Sequence, residues 1–312
     1  MKSYGAVGDS SHDDTQAIQT ALNECGLILI PSGTYKITQP LVFRSNTHII
    51  MAPDAELKQY TPSTRCVIRC FSTKNDTSYN GVHDVIIEGG ILNANDVSSQ
   101  QSCSCLAMIH CKNITLRNLT FKGVGVGMHC VDMAASKDVL FDRCVCRDNE
   151  TVRSWGCCFQ IDGANSNTSY PYLSLINVSD SDPIYDDCGC MNIEIKGCQF
   201  YLNNYSPAIG NHNYSIHEYI NIHDNMIYGC GVSVGTHDRG AIAFDMYSGY
   251  VGKVNLTDKV FIHHNFITDC PYGFSLDPNS NGSIYIRDNY FVNVGTVLKV
   301  QASCAKLLNN IQ

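Results

Sequence analysis

The most regular feature of this chain is a run of alternating apolar and polar residues, followed by a polar bend, that recurs from Asn113 to Phe291. Its six copies read NITLRNLTF, DVLFDRCVC, NIEIKGCQF, YINIHDNMI, KVFIHHNFI and SIYIRDNYF. Alternation with a period of two residues is typical of β-strands. Each copy therefore predicts two short strands joined by a bend.

The spacing of the copies predicts how the strands are arranged. The copies lie about 25 residues apart, except for two longer intervals that indicate insertions. A repeat of this length with no helix between its strands predicts a parallel β-solenoid, in which each coil stacks on the previous one. A β-sandwich or a propeller is the alternative, but the scarcity of Asn-Gly and Asp-Gly hairpin turns disfavours it.

One position of the bend aligns in all six copies. It holds Leu119, Cys144, Cys198, Asn225, Asn265 and Asn289. Asparagines stacked in one column can hydrogen-bond to each other, because successive coils lie about 4.8 Å apart. A leucine or cysteine in the same column would fill the interior as an apolar group.

The first 40 residues predict a helix that closes one end of the solenoid. Apolar residues recur at helical spacing between Thr15 and Leu22, and Gly26 is expected to end the helix. Such a helix would cover the strand edges and the interior of the first coil. We interpret His12, Asp13 and Asp14 as turn and N-cap residues rather than as metal ligands.

The same stretch carries the most specific motif of the chain. YGAVGDSSHDDTQAIQTAL, followed by LILIPSGTY, resembles the opening of the pectate-lyase/polygalacturonase-like β-helix superfamily. The resemblance implies an all-β fold, a right-handed single-stranded parallel β-helix (solenoid) with an N-terminal capping α-helix. We therefore predict one domain over residues 1–312, with the cap at 1–26 and the coils at 27–312.

The net charge and the hydropathy of the chain limit the classes of partner that it is expected to bind. The net charge of −8 and the lack of basic runs argue against a nucleic-acid partner. No apolar run is long enough to span a bilayer, so we expect no membrane insertion. No signal peptide follows Met1, which predicts cytoplasmic synthesis, with association with a virion or release from the cell left open.

The chain contains 17 cysteines, several of them in CxC or CC pairs. This spacing fits neither a disulfide framework nor the usual zinc-binding pattern. We expect buried thiols that act as small core residues. Metal binding by Cys188 and Cys190 is the weaker alternative, and no metal ion or other cofactor is predicted.

A second strand precedes each bend phrase, and several of these strands end in an ionisable residue. In register, these residues would form a ladder along one face of the solenoid: Asp132, Asp162, His212, Asp245 and Asp277. Carboxylates about 4.8 Å apart repel each other unless they are solvated, protonated or partnered. A ladder of this kind therefore indicates a functional site.

The two insertions fall beside the same ladder. We place them at residues 163–189, after Asp162, and at residues 246–258, after Asp245. Long loops on a rigid scaffold commonly shape a binding groove. They carry tyrosines able to stack on sugar rings, including Tyr170 and Tyr247, and a further loop carries His237 and Arg239.

The resemblance to the superfamily's hydrolases implies a glycan-cleaving enzyme, and with these features it predicts a glycoside hydrolase that cleaves a polysaccharide. Asp162 and Asp245 would be the paired carboxyl groups, with Cα atoms about 10 Å apart, which favours an inverting mechanism. His212 or His237 would hold the water or tune a pKa, and Arg239 would bind an acidic group of the sugar. The other predicted substrate contacts are Asp132, His217, Asp277, Tyr247 and Tyr170. For His212 and His217, a groove position is also implied by the resemblance of PAIGNHNYSIHEYINIHDN to a phrase of phage-associated and bacterial superfamily members.

Two other classes of function remain open. A polysaccharide lyase, or a sugar epimerase, would use the same fold, and a lyase could hold Ca²⁺ with Asp162, Asp186 and Asp187. We rank the lyase lower because no Lys or Arg lies within the ladder. The non-enzymatic alternative is a phage tail-spike or adhesin module that binds a surface glycan as a homotrimer, whereas a hydrolase could be a monomer. The absence of a C-terminal capping helix is consistent with a partner or a further segment there.

Overall fold

The structure is a computed structural model that describes residues 1–62, 65–96, 103–125, 128–149, 157–164, 185–201, 206–211, 216–231, 239–244, 258–276, 282–299 and 305–312. The helical elements are a 3₁₀ turn at Lys2–Tyr4 and α1 (Thr15–Glu24). The strands are β1 (Asp9–Asp13), β2 (Leu27–Ile30), β3 (Thr34–Ile37), β4 (Leu41–Phe43), β5 (Thr47–Met51), β6 (Glu56–Gln59), β7 (Cys66–Cys70), β8 (His83–Glu88), β9 (Ile91–Asn93), β10 (Ser104–Ile109), β11 (Lys112–Arg117), β12 (Thr120–Lys122), β13 (Val131–Ala134), β14 (Lys137–Asp142), β15 (Val145–Cys146), β16 (Phe159–Asp162), β17 (Met191–Lys196), β18 (Gln199–Tyr201), β19 (Ile209–Asn211), β20 (Glu218–His223), β21 (Met226–Tyr228), β22 (Ile242–Phe244), β23 (Asp258–His263), β24 (Phe266–Thr268), β25 (Tyr272–Leu276), β26 (Ile284–Arg287), β27 (Tyr290–Val292), β28 (Thr296–Leu298) and β29 (Ala305–Leu308).

These strands form three parallel sheets. Sheet A contains β1, β3 and then every third strand from β6 to β27. Sheet B contains every third strand from β2 to β29, and sheet C contains every third strand from β4 to β28. Each coil from β4 onward crosses sheet C, then sheet B, then sheet A, and the next coil pairs with it laterally. This is the predicted right-handed parallel β-helix, and the prediction of the fold class is confirmed.

The helix α1 covers the first coils as predicted. Its apolar side is buried through Ile18, Ala21 and Leu22. The Asp13 carboxylate accepts hydrogen bonds from the Thr15 amide (3.1 Å) and hydroxyl (2.6 Å) at the start of the helix. Asp13 is therefore a turn residue that precedes the N-cap Asp14, and both have the structural roles expected of them. The helix ends at Glu24, two residues before Gly26, because the chain already extends at Cys25 to enter β2.

The interior of the solenoid is packed by side chains from all three sheets. The Phe159 ring of sheet C lies 4.5 Å from the Phe141 ring of sheet B, and 5.7 and 5.1 Å from the Phe121 and Phe200 rings of sheet A. Since Phe159 and Ile161 point inward, the alternate residues of β16, Gln160 and Asp162, point to the outer face of sheet C.

The predicted asparagine column is confirmed at the bend between sheets B and A. The Asn225 Nδ2 donates to Asn265 Oδ1 at 2.9 Å, and the Asn265 Nδ2 donates to Asn289 Oδ1 at 2.9 Å. The column continues to Asn310, whose Oδ1 accepts from Asn289 at 3.0 Å. The earlier coil continues it with Cys198, whose amide donates to Asn225 Oδ1. These bonds satisfy buried amides on successive coils.

None of the cysteines among the described residues forms a disulfide bond, and all of them except Cys25 and Cys188 are buried. This agrees with the prediction that they serve as small core residues. Within the same described ranges, no helix is both long and apolar enough to cross a bilayer.

Candidate functional site

The outer face of sheet C is bordered by the long connections of the chain. Between β16 and β17 and between β22 and β23 the chain runs from sheet C to sheet B over many residues, whereas each connection from sheet B to sheet A is a short bend such as residues 118–119. Long connections flank sheet C on its other side too, for example between β15 and β16. Both predicted insertions fall in these connections, so the outer face of sheet C is the candidate groove floor.

The outer face of sheet C presents one lateral column that mixes polar and small residues. Asp132 pairs with Ala107 on one side and with Gln160 on the other, and Gln160 pairs with Gly210. We call this set the outer column: Val42, Arg69, Ala107, Asp132, Gln160, Gly210, Ala243 and Ser275.

The predicted ladder is wrong in its register at Asp132 and Asp162. Asp162 pairs with Ala134, and Asp132 pairs with Gln160, so the two carboxyl groups are offset by two residues. The sequence phrases end at these two aspartates, but β13 continues to Ala134 beyond Asp132. Because an offset of two keeps side chains on one face, both still point outward, with Cα atoms about 8 Å apart diagonally.

The two carboxyl groups lie in different surroundings although both are covered. Asp132 is 2% exposed and Asp162 is 1% exposed. Burial, followed by the neighbouring Asp162, raises the pKa of Asp132 well above its ordinary value. The Gln160 Nε2 donates a hydrogen bond to Asp162 Oδ1 at 2.9 Å. Burial therefore favours the protonated form of Asp132, beside a carboxyl group that accepts a hydrogen bond.

Arg239 lies beside Gly210 of the outer column, and the substrate contact predicted for it stays a prediction. Its Nη2 donates to the Asn211 carbonyl at 3.4 Å, and its Nη1 lies 3.5 Å from the Cys157 Sγ. A Cβ added at Gly210 would come within 3.2 Å of the Arg239 Nη2 and 2.5 Å of the Cys157 Sγ. The glycine thus makes room for the guanidinium on the face that carries Asp132.

Sequence reasoning missed Arg69 and Gln160. Arg69 occupies the outer column two strands from Asp132, and its burial lowers the pKa of its guanidinium. The signal was available in the strand CVIRC, where a single charged residue interrupts an apolar run. Gln160 was visible in the phrase CCFQID, two residues before Asp162.

His217 is not brought onto the outer column. It precedes β20 at the corner where the chain enters sheet B, and its buried imidazole accepts a hydrogen bond through Nδ1 from the Cys190 amide at 3.0 Å. The substrate contact predicted for it stays a prediction. Six other predicted site residues lie outside the described residues: Asp245, His212, His237, Asp277, Tyr247 and Tyr170. The sheet order does place β19 between β16 and β22, as the predicted Asp162–Asp245 pair requires.

The aspartates considered for calcium are not assembled into a site. The Asp186 carboxylate accepts hydrogen bonds from the Ser78 amide (2.6 Å) and the Cys188 amide (3.1 Å). Among the residues that the structure describes, only Cys130, Cys146 and Cys158 form a group of three or more potential ligands with all ligand atoms within 4.8 Å of one another. Asp162, Asp186 and Asp187 form no such group.

The three thiols lie close enough together to bind a soft metal ion, but burial raises the pKa of two of them. The Cys158 Sγ lies 3.2 Å from the Cys130 Sγ, and all three residues are buried. Burial raises the pKa of Cys130 to about 11 and that of Cys146 well above its ordinary value. Burial opposes ionisation of Cys158 too, but hydrogen bonds with Cys130 and Cys146 lower its pKa. Since metal binding requires thiolates, the raised pKa values of Cys130 and Cys146 favour packing groups over a metal site.

Comparisons with known proteins agree with the resemblance in the opening sequence. Residues 1–65 match the family described as rhamnogalacturonase A/epimerase, pectate lyase-like. The chain is a parallel β-helix whose first 65 residues are similar to this pectate lyase-like family. The match covers the capping helix and the first coils, whereas the outer column of sheet C begins with Val42 and lies mostly beyond it.

Longer matches include an adhesin and a hydrolase. The plasmin and fibronectin-binding protein A of Streptococcus pneumoniae R6 is 29% identical over 166 residues, which are 46% of this chain and 23% of that relative. The solved S. pneumoniae surface protein and adhesin PfbA aligns with a TM-score of 0.64 and 18% identity, covering 99% of this chain and 96% of that one. The endo-xylogalacturonan hydrolase of Aspergillus tubingensis aligns with a TM-score of 0.51 and 14% identity, covering 98% and 91%. The two structures share the fold with this chain.

Proposed function

We propose that this β-helix is a glycoside hydrolase that cleaves a polysaccharide on the outer face of sheet C. The observation that carries the proposal is the pair of carboxyl groups, Asp132 and Asp162, on one face but in unlike surroundings. A buried carboxyl group with a raised pKa beside a second carboxyl group is a pattern found in acid–base pairs.

Each member of the pair has a separate task. Glycoside hydrolysis needs a carboxylic acid to protonate the leaving oxygen and a carboxylate to activate water or to attack the sugar. Asp132, whose pKa is raised by burial, supplies the acid, and Asp162, oriented by Gln160, supplies the carboxylate. A separation of about 8 Å between their Cα atoms favours the wider, inverting arrangement. Asp245, predicted from the sequence as the partner of Asp162, stays the alternative acid.

The guanidinium groups supply the positive charge. Arg239 over Gly210 and Arg69 in the outer column both lie on this face and suit the bidentate recognition of a uronate carboxylate. Arg69 also changes the ranking of a lyase, because a cation does lie in line with the carboxyl groups. A polysaccharide lyase, with an arginine near the sugar carboxylate, is therefore a second candidate.

Burial of the pair favours a third candidate, a glycan-binding adhesin. With 2% and 1% of their surfaces exposed, Asp132 and Asp162 contact a sugar only if the chain that covers them moves. A protein that only binds a glycan needs no accessible carboxyl pair. The solved adhesin from S. pneumoniae, which shares the fold, supports this candidate.

One assay separates the three candidates. The full chain is incubated with a panel of neutral and acidic polysaccharides, and both new reducing ends and the ultraviolet absorbance of unsaturated products are measured. We expect reducing ends without absorbance, and a loss of about 100-fold or more in turnover for Asp132→Asn and for Asp162→Asn. Asp54→Asn, an exposed carboxylate remote from sheet C, is the matched control and should retain full activity.

Three other results of this assay would contradict the hydrolase proposal. Absorbance of unsaturated products would identify a lyase. Retention of a polysaccharide without any product would identify an adhesin. Full turnover in both Asp132→Asn and Asp162→Asn would remove the pair from the mechanism.

A further inference from the structure

The outer face of sheet B carries a second groove, on a different side of the solenoid from the outer column. It measures about 310 Å³ and is lined by Asn192, Tyr219, Asn221, Phe261, His263 and Arg287. These residues come from four successive strands, β17, β20, β23 and β26, so the groove runs across the coils. Its lining combines aromatic rings, side-chain amides and one guanidinium.

Aromatic stacking defines one end of the groove. The Phe261 and Tyr285 rings are stacked with centroids 5.2 Å apart and planes 9° apart. Phe261 pairs laterally with Tyr285 on one side and with Asn221 on the other. Because the ring separation is close to the strand spacing, the rings face along the solenoid axis, and the second face of Phe261 points toward the shorter Asn221. Phe261 is 37% exposed.

Polar groups surround the open face of Phe261. The His263 Nε2 hydrogen-bonds to Asn221 Oδ1 at 3.0 Å, and the His263 ring stacks on His223 with centroids 4.9 Å apart. This fixes the Asn221 amide with its nitrogen as a donor on the groove wall. Burial first, then the neighbouring His223, lowers the pKa of His263, so its imidazole is neutral near pH 7.

Tyr219 stands at the other side of the groove in an unusual conformation. The second residue of each sheet B strand from β8 to β23 has a positive φ of 54–58°, and these residues are Asp84, Asn113, Asp138, Asn192, Tyr219 and Lys259. Asn and Asp tolerate this left-handed region, whereas a bulky tyrosine rarely adopts it. Such conformations cluster at binding sites. Here the conformation places an exposed tyrosine ring beside Asn192, with the Lys259 ammonium 4.5 Å from its centroid.

The charge of the lining selects the ligand. Arg287 is the one charged residue among the six lining residues, and its side chain is 53% exposed. Two carboxylates on the neighbouring strand ends are engaged, Glu194 by His223 at 3.0 Å and Glu218 by Lys259 at 3.8 Å. Asp288 lies 3.7 Å from Arg287, but a partly exposed pair of this length is weak and exchanges readily for a ligand carboxylate.

We propose that this groove binds an acidic saccharide, with a pyranose ring stacked on Phe261 and a uronate carboxylate on Arg287. Aromatic faces bind the apolar face of a sugar ring, and the amides of Asn192 and Asn221 bind its hydroxyl groups. The planar guanidinium matches a carboxylate bidentately. The groove is a binding site distinct from sheet C, and it holds a glycan whether or not sheet C cleaves one.

Retention in native gels that contain polygalacturonate tests the proposal. The full chain carrying Asp162→Asn serves as parent, so that the polysaccharide is not cleaved. Added Phe261→Ala should weaken retention about tenfold. Added Arg287→Gln should weaken it and reduce its dependence on salt. Phe266→Ala is the matched control, because it removes an aromatic ring of similar exposure (40%) from the sheet A face of the same coil.

A second measurement reports on the groove itself. The imidazole nitrogen signals of His263, assigned with a His263→Gln variant, should shift when a short galacturonate oligosaccharide is added. Unchanged retention in both groove variants, an equal loss in Phe266→Ala, or no shift at His263 would each overturn the proposal. Equal retention of the parent by neutral dextran would overturn the acidic character of the ligand. If polygalacturonate does not retain the parent at all, the proposed binding site itself is overturned.

Discussion

Replacing Asp132 by asparagine should stabilise the protein while abolishing its activity. Asp132 is buried in the outer column beside Asp162, and its pKa is raised. In the unfolded chain the same carboxyl group titrates near its ordinary value of about 3.9. Between these two pKa values the folded protein binds one proton more than the unfolded chain, so the stability of the parent falls as pH rises.

The magnitude follows from that difference in bound protons. Each pH unit in this window costs the parent about 1.4 kcal/mol, whereas asparagine does not titrate. The free energy of unfolding of Asp132→Asn should therefore rise relative to the parent by about 1.4 kcal/mol for each pH unit between the unfolded and the folded pKa of Asp132. Well below the unfolded pKa of about 3.9 the difference should become constant, because the folded and the unfolded chain then both carry a protonated Asp132.

Urea unfolding followed by circular dichroism at pH 5, 6 and 7 measures this difference. Asp9→Asn is the control with the opposite electrostatics, because the His12 and Ser11 amides lower the pKa of Asp9 to about 2. The contribution of Asp9 is present above its unfolded pKa and lost as pH falls toward 2, so its variant should show a constant difference between pH 5 and 7. A constant difference in the free energy of unfolding between Asp132→Asn and the parent over the same pH range would refute the raised pKa of Asp132. A variant that is more stable yet inactive would identify Asp132 as a functional group, since active sites are commonly kept at the expense of stability.

Two further outcomes test the interior. Asn265→Leu should lower the free energy of unfolding by about 2–4 kcal/mol, because Asn225 and Asn289 lose buried hydrogen bonds. The control Gln16→Ala, which removes an exposed bond to Thr20 in α1, should stay within about 0.5 kcal/mol. Equal losses in the two variants would contradict the role of the column. Alkylation mapped by mass spectrometry should label the half-buried Cys25 well before Cys130, whose pKa is raised to about 11; equal labelling rates in the native protein would contradict a packed thiol core.

The sequence predicted best those features that are set by a single strand, a helix start or a repeated bend. The period-two alternation defines strands because it is imposed by the pleat of each strand separately. The bend column was predictable because an asparagine there bonds to its own equivalent one coil away, from Asn225 through Asn289. The start of α1 was predictable from the residues around Asp13, which bond to their sequence neighbours.

The candidate sites depended on contacts between distant residues. The phrases containing Asp132 and Asp162 look equivalent, but lateral pairing is set by where each strand enters the sheet, and the true partner of Asp162 is Ala134. Phe261 and Tyr285 align in the repeat, yet the alignment does not give the orientation of their rings.

The sequence by itself determined the solenoid, its cap and its asparagine column, because each depends on short-range alternation or on a repeated bend. Only the tertiary structure decided that Asp132 and Asp162 are diagonal neighbours, that Arg69 shares their face and that sheet B has a groove. The reason is physical: register, burial and the pKa shifts that burial causes arise from the lateral stacking of coils, which no single repeat contains.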